Sequence, residues 1–175
     1  EWRAGKLQIA GEHVLSSAIG RRLGVAFEAT PAADGPRVLV GLPTGCRHEL
    51  SALAFAVSLR NKRVPVVYLG TDTPVDAWLT AIDSQPVAAL TMAVPTSDVA
   101  QSAADIFQRV HAEFPQLVLA AGGRGSGQLP AFVRQLPPDI GAAASDLQTI
   151  IEHKGKTKGL TLAYVGDANN NMANS

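Results

Sequence analysis

Three observations predict an α/β fold, a parallel sheet with helices on both faces. From Arg37 onward, short apolar runs alternate with segments of helical periodicity. The runs are continuously apolar instead of alternating, which marks strands buried on both sides. Hydrophobic residues make up 46% of the chain and charged ones 17%, enough apolar material to fill a core between such layers.

Each element follows in order. Residues 5 to 27 carry Leu7, Ala10, Val14 and Ala18 at three- and four-residue spacing, so they read as a helix, with Trp2 just before it. Ala29 to Pro36 is small, polar and proline-containing, a linker. Val38 to Leu42 is the first strand, and Pro43 and Gly45 break it before a helix from Arg47 to Leu59. Val64 to Gly70 is the second strand. Thr73 as N-cap and Pro74 at the first helical position open a helix reaching Asp83. Val87 to Met92 is the third strand, Ser97 to Glu113 a long amphipathic helix, and Leu117 to Ala121 the fourth strand. A glycine-rich loop from Gly122 to Gly127 follows, then a short helix around Pro130 to Gln135. Asp146 to Lys154 predicts a helix and Leu160 to Gly166 a further strand, while the asparagines at 169 to 171 favour turns and caps. The domain expectation is a helical cap at 1–30, a flavodoxin- or Rossmann-like domain at 36–147 and a separate tail at 148–175.

Composition excludes several function classes. Lys+Arg and Asp+Glu are equal at 15 each, against bulk electrostatic binding of nucleic acid by this segment. No apolar run has the length of a membrane span, and no signal-peptide pattern opens the chain. The single cysteine allows no internal disulfide and fits a reducing, cytoplasmic compartment. Glu1 in place of a starting Met predicts a domain taken from a longer protein.

The candidate site lies where strands end. Ligands of open α/β sheets bind in the crevice at the carboxyl ends of the strands. His48, in Arg47-His48-Glu49-Leu50, falls where the first strand turns into its helix. An imidazole there suits axial ligation of a cofactor metal, although an isolated His at a helix start is ordinarily only a polar residue. Thr91 and Thr96-Ser97 put hydroxyls at the end of the third strand, and Gly122-Gly123 let a ligand approach the backbone after the fourth. The loop's glycine spacing misses the dinucleotide fingerprint.

Together these residues resemble the cobalamin-binding module of MerR-type regulators, the adenosylcobalamin-dependent photoreceptor group. The likeness covers residues 1 to about 147. It rests on Trp2, nine residues, then Glu12-His13; on Arg47-His48-Glu49-Leu50; on Val66 to Gly70 followed by Asp72-Thr73-Pro74; and on Gly122-Gly123. The resemblance implies adenosylcobalamin as cofactor, with His48 as the lower axial cobalt ligand. The displaced nucleotide tail would run past Thr91 and alongside Gly122 and Gly123. Trp2, Glu12 and His13 would cover the upper face. It also implies transcriptional regulation, self-association through this module, a light response, and DNA contact only through a domain outside this chain. Three positions depart from the family pattern. Cys46 replaces an acid two before the ligand His, Ser51 replaces a glycine three after it, and Arg3 follows Trp2 where light-sensing members carry a His. A thiol orients an imidazole poorly compared with a carboxylate.

Residues 146–175 resemble a fragment of ornithine carbamoyltransferase, including Leu160 to Gly166 and Asp167-Ala168-Asn169-Asn170-Asn171. The carbamoyl-phosphate loop and the later catalytic Cys of that family are absent, so no transferase activity and no catalytic residue are expected. The alternatives to a sensor are a corrinoid carrier serving a methyltransferase or mutase, and a flavodoxin-like domain without cobalt.

Overall fold

The computed structural model describes residues 2–170 of the backbone and the side chains of residues 11–155. A cap helix α1 (Trp2–Ala29) precedes five strands, β1 (Arg37–Pro43), β2 (Val66–Thr73), β3 (Val87–Ala93), β4 (Val118–Gly122) and β5 (Arg134–Gln135). Between and after them come α2 (Leu50–Asn61), α3 (Val75–Asp83), α4 (Ala100–Glu113) and α5 (Ile140–Asn170). All pairings are parallel, in the order β2-β1-β3-β4-β5. The predicted α/β class and its parallel sheet are therefore observed.

Both sheet faces carry a hydrophobic cluster, as the unbroken apolar runs require. Leu39, Leu42, Leu90, Met92 and Leu119 meet Trp78, Ile106 and Phe107 of α3 and α4. Val38, Val40, Ala89 and Ala120, from the other face, meet Leu53, Phe55 and Leu59 of α2 and Ala144 and Leu147 of α5. Each Val, Leu, Ile, Phe or Met side chain among them, removed from water, contributes on the order of 1.5–3 kcal/mol. The root of α1 is anchored separately. Arg60 stacks its guanidinium 3.6 Å from the Phe27 ring centroid and donates to the Phe27 carbonyl at 2.5 Å. A cation there also suits the negative end of the helix dipole.

Several boundaries differ from expectation. α1 begins at Trp2, which lies in its first turn and not before it. α2 begins at Leu50, so Arg47, His48 and Glu49 form an irregular loop in place of a first helical turn. Thr73 belongs to β2, and Pro74 takes the N-cap position with Val75 opening α3. The expected helix at Pro130 to Gln135 is instead a turn leading into a two-residue edge strand, pairing Arg134 with Ala120 and Gln135 with Ala121. Pro137-Pro138 follow it after Leu136, and a residue before proline is held away from the helical region. The expected strand Leu160 to Gly166 lies within α5, which also runs unbroken through the boundary placed at 147 to 148. A short apolar run does not by itself distinguish a strand from a helix segment. Of the asparagines where turns were expected, Asn169 and Asn170 end α5, and Asn171 lies outside the described residues.

The two glycines after β4 have different reasons to be glycine. Gly123 has φ +104, and a Cβ there would stand 2.3 Å from the Val94 carbonyl oxygen. Gly122 has open space, a Cβ meeting only Leu136 Cβ at 4.0 Å. In urea unfolding, Gly123→Ala is expected to cost about 2–4 kcal/mol from backbone strain and collision. Gly122→Ala is expected to change stability by less than about 1 kcal/mol. Equal losses at both positions would contradict this division.

Candidate functional site

The site is assembled from strand ends. β1 stops at Pro43, and the chain turns through Thr44 and Gly45 into the His48 loop, closed by Cys46 N–H donating to the Pro43 carbonyl at 3.1 Å. Neighbouring β2 reaches over this turn. Gly45 N–H donates to Asp72 Oδ1 at 2.7 Å, Asp72 N–H donates to the Cys46 carbonyl at 2.9 Å, and Thr44 Oγ1 donates to the Thr73 carbonyl at 3.3 Å. Beyond the loop, Tyr68 Oη donates to Glu49 Oε2 at 3.4 Å. Arg47 and His48 are exposed, and Glu49 and Leu50 half-buried.

Two adjoining cavities use these residues. One, of ≈ 610 Å³, has Arg47, His48, Glu49 and Leu50 on the sheet side and Glu12, His13, Ser16 and Ser17 of α1 on the other. The structure thus brings Glu12 and His13 to the same cavity as His48. The Trp2 side chain lies outside the described residues. The second cavity, ≈ 540 Å³, is a slot between the sheet and α2 and α5, lined by Val40, Thr91, Gly122, Gly123, Leu136 and Ala143 among others. Ser51 and Pro95 line both, so the two spaces are neighbours there.

Thr91 is the slot's notable polar group. Strand register places it between Val40 of β1 and Ala120 of β4. It is 3% exposed, and its Oγ1 has no hydrogen-bond partner among the described residues. A buried hydroxyl without a partner is costly unless something else supplies the bond.

Electrostatics separate the groups near His48. Burial pushes the Cys46 thiol up; the His48 backbone N–H opposes this and the charge of Asp98 adds to it. At 2% exposure Cys46 packs in the apolar core with Leu42 and Trp78, so its thiol is an interior group. Thr96 and the residue's own backbone N–H hold the Asp98 carboxyl below the usual carboxylate range, and His48 lowers it further. Burial raises the Tyr68 phenol, as does the neighbouring Glu49 carboxylate. Sequence reasoning passed over Asp98, Pro95 and Arg124. The signal available was their place just beyond β3 and β4, on the edge that already carries Thr91 and Gly122. Among the described residues, no cluster of three or more His, Cys, Asp or Glu could hold a metal ion by itself. No described helix is long and apolar enough to cross a membrane.

No protein-family model matches the chain. Over 73 residues, 41% of this chain, it is 40% identical to the HTH-type transcriptional repressor CarA of Myxococcus xanthus, of which it covers 25%. A separate stretch of 31 residues is 68% identical to the ornithine carbamoyltransferases of Renibacterium salmoninarum and Mycolicibacterium gilvum, covering 10% of each. That likeness accounts for a fragment and not for an enzyme. The chain thus spans a quarter or less of the curated relatives it matches. Among solved structures, a cobalamin-binding protein from Desulfitobacterium hafniense aligns with TM-score 0.57 and 12% identity, over 65% of this chain and 58% of that one. The monomethylamine corrinoid protein of Methanosarcina barkeri gives 0.58 and 13%, over 79% and 64%. The methanol:cobalamin methyltransferase complex MtaBC of the same organism gives 0.60 and 21%, over 71% and 49%. Both resemblances read from the sequence reappear in these relatives, and the fold is that of domains in cobalamin and corrinoid proteins.

Proposed function

We propose that this chain is an adenosylcobalamin-binding sensor domain of a cytoplasmic transcriptional regulator, with His48 as the lower axial cobalt ligand. One juxtaposition carries the reading. An exposed imidazole lines a cavity walled by Glu12 and His13, and Ser51 and Pro95 also line a neighbouring slot holding a hydroxyl with no partner among the described residues. A corrin ring supplies its own equatorial nitrogens, so a single protein imidazole suffices for cobalt. Residues present fit the group: the cavity at His48 would take the ring, and the slot along Gly122 and Gly123 would take the displaced nucleotide tail. Thr91 Oγ1 has bonding capacity to offer that tail. When bound, adenosylcobalamin supplies a cobalt–carbon bond that light can break.

The residues of the chain bind and orient. His48 would hold the lower face, Arg47, Glu49 and Leu50 would border the ring, and Glu12 and His13 would shield the upper side with Trp2. Glu12 has acceptors for ribose hydroxyls. DNA contact belongs to a domain outside this chain, consistent with the name of the repressor it resembles. Val14, Leu15 and Val25 of α1 stand in solvent, which supports self-association through the cap. The second reading, a corrinoid carrier for a methyltransferase, is favoured by the likeness to the two Methanosarcina proteins. Glu12 and His13 beside His48 favour the sensor.

Titration with adenosylcobalamin in the dark is expected to give a base-off, His-on spectrum that His48→Ala abolishes. No binding by the wild type would defeat the reading, and illumination of the complex tests whether Arg3 has removed the light response. Thr91→Val is expected to weaken cobalamin binding by about three- to tenfold. Cobinamide, which lacks the nucleotide tail, is expected to bind this variant unchanged. Equal weakening for both ligands would place Thr91 outside the tail's path.

A further inference from the structure

The His48 loop takes its support from a neighbouring strand. Cys46, at the position where an orienting acid would stand, is an interior residue packed with Leu42 and Trp78. We propose that Asp72, reaching across from β2, is the residue that positions the His48 loop, by clasping its backbone at Gly45 and Cys46. The inference rests on the cobalamin reading for its purpose, while its geometry stands apart from it.

Four observations carry it. The clasp is reciprocal: the Asp72 carboxylate accepts from Gly45 N–H at 2.7 Å, and Asp72 N–H donates to the Cys46 carbonyl at 2.9 Å. Asp72 has φ +51, one of two non-glycine residues with positive φ among the described residues. Such a conformation is uncommon outside glycine, asparagine and aspartate, and it persists where the surroundings hold it. The adjacent residue is tied down on both sides, because the Thr73 carbonyl accepts from Thr44 Oγ1 and from buried Trp78 Nε1, each at 3.3 Å. Finally, β2 also holds the far side of the ligand residue through Tyr68 and Glu49. His48 is thus bracketed, before and after, by contacts from one strand. An acid two residues earlier would act on the imidazole itself; Asp72 acts on the peptide that presents it.

Cys46 supplies the readout, as the chain's single cysteine and 2% exposed. In the full chain without cobalamin, its reaction with Ellman's reagent reports opening of this loop. Asp72→Gly removes the carboxylate and suits a positive φ, while Asp72→Asn keeps an Oδ1 acceptor and tolerates the same backbone. Asp72→Gly is expected to speed modification by about three- to tenfold, with Asp72→Asn near wild type. The added reactivity should not vary at low urea, because local opening exposes little surface. The same variants then titrate adenosylcobalamin: Asp72→Gly should bind more weakly and show a smaller His-on fraction, and Asp72→Asn should restore both. A thiol as protected in Asp72→Gly as in wild type would overturn the clasp. So would reactivity that climbs with urea as global unfolding does. Faster modification with unchanged cobalamin affinity and spectrum would overturn the positioning role. If the wild type binds no cobalamin, the functional reading falls, and the thiol rates alone still decide whether Asp72 holds the loop.

Discussion

Burial of β1 on both faces is the constraint on which the rest depends. It is the second strand of the sheet, between β2 and β3, and Val38, Leu39, Val40 and Leu42 are each 1% exposed or less. A strand so enclosed has no room for polar chemistry along its length, since an unpaired polar group there would be costly. Irregular backbone and reactive side chains are therefore displaced to its carboxyl end. Parallel pairing aligns that end with those of β2, β3 and β4. The His48 loop, Thr91 and the Gly122-Gly123 turn share an edge because the strands feeding them point the same way.

Roles at that edge are divided by depth. Cys46 and Thr91 are interior residues, His48 and Arg47 are exposed, and Glu49 lies between. Depth separates their chemistry: burial holds Cys46 as a neutral thiol and leaves Asp98, with its bonds from Thr96 and backbone, as the carboxylate that feels His48. Asp98, from the segment after β3, brings a negative charge that both Cys46 and His48 feel.

Much of this was legible in the sequence, for a definite reason. Doubly buried strands leave an unbroken apolar signature, so four of the five strands and the gathering of His48, Thr91 and Gly122 could be read from pattern and topology. β5 could not: two residues between prolines carry no periodicity, and pairing with β4 alone makes them a strand. Leu160 to Gly166 has strand composition, yet lies in a helix that opens some twenty residues earlier at Ile140. The Gly123 pattern was visible and its cause was not, because the collision with the Val94 carbonyl depends on a neighbour from another loop. The same holds for Asp72, whose partners are more than twenty-five residues away. Loop contacts between strands have no local signature.

The cap helix behaves as a rod held near one end. Its root is fixed where Arg60 grips Phe27 and Thr30, and Tyr68 meets the Phe27 ring edge-on at 6.2 Å. Glu12, which walls the His48 cavity, sits fifteen residues away, an arm of about 22 Å at 1.5 Å per residue. Over such an arm a tilt of about 5° carries the far wall roughly 2 Å. Between the two, Gly20 rests against Leu50 of the His48 loop's own helix, with only 3.4 Å from an ideal Cβ to Leu50 Cδ2. The described part of the rod thus has an anchor at Phe27 and a bearing at Gly20, whose partner Leu50 lies two residues from His48. Any tilt of α1 at its root would change the cavity width at Glu12 without rearranging the sheet.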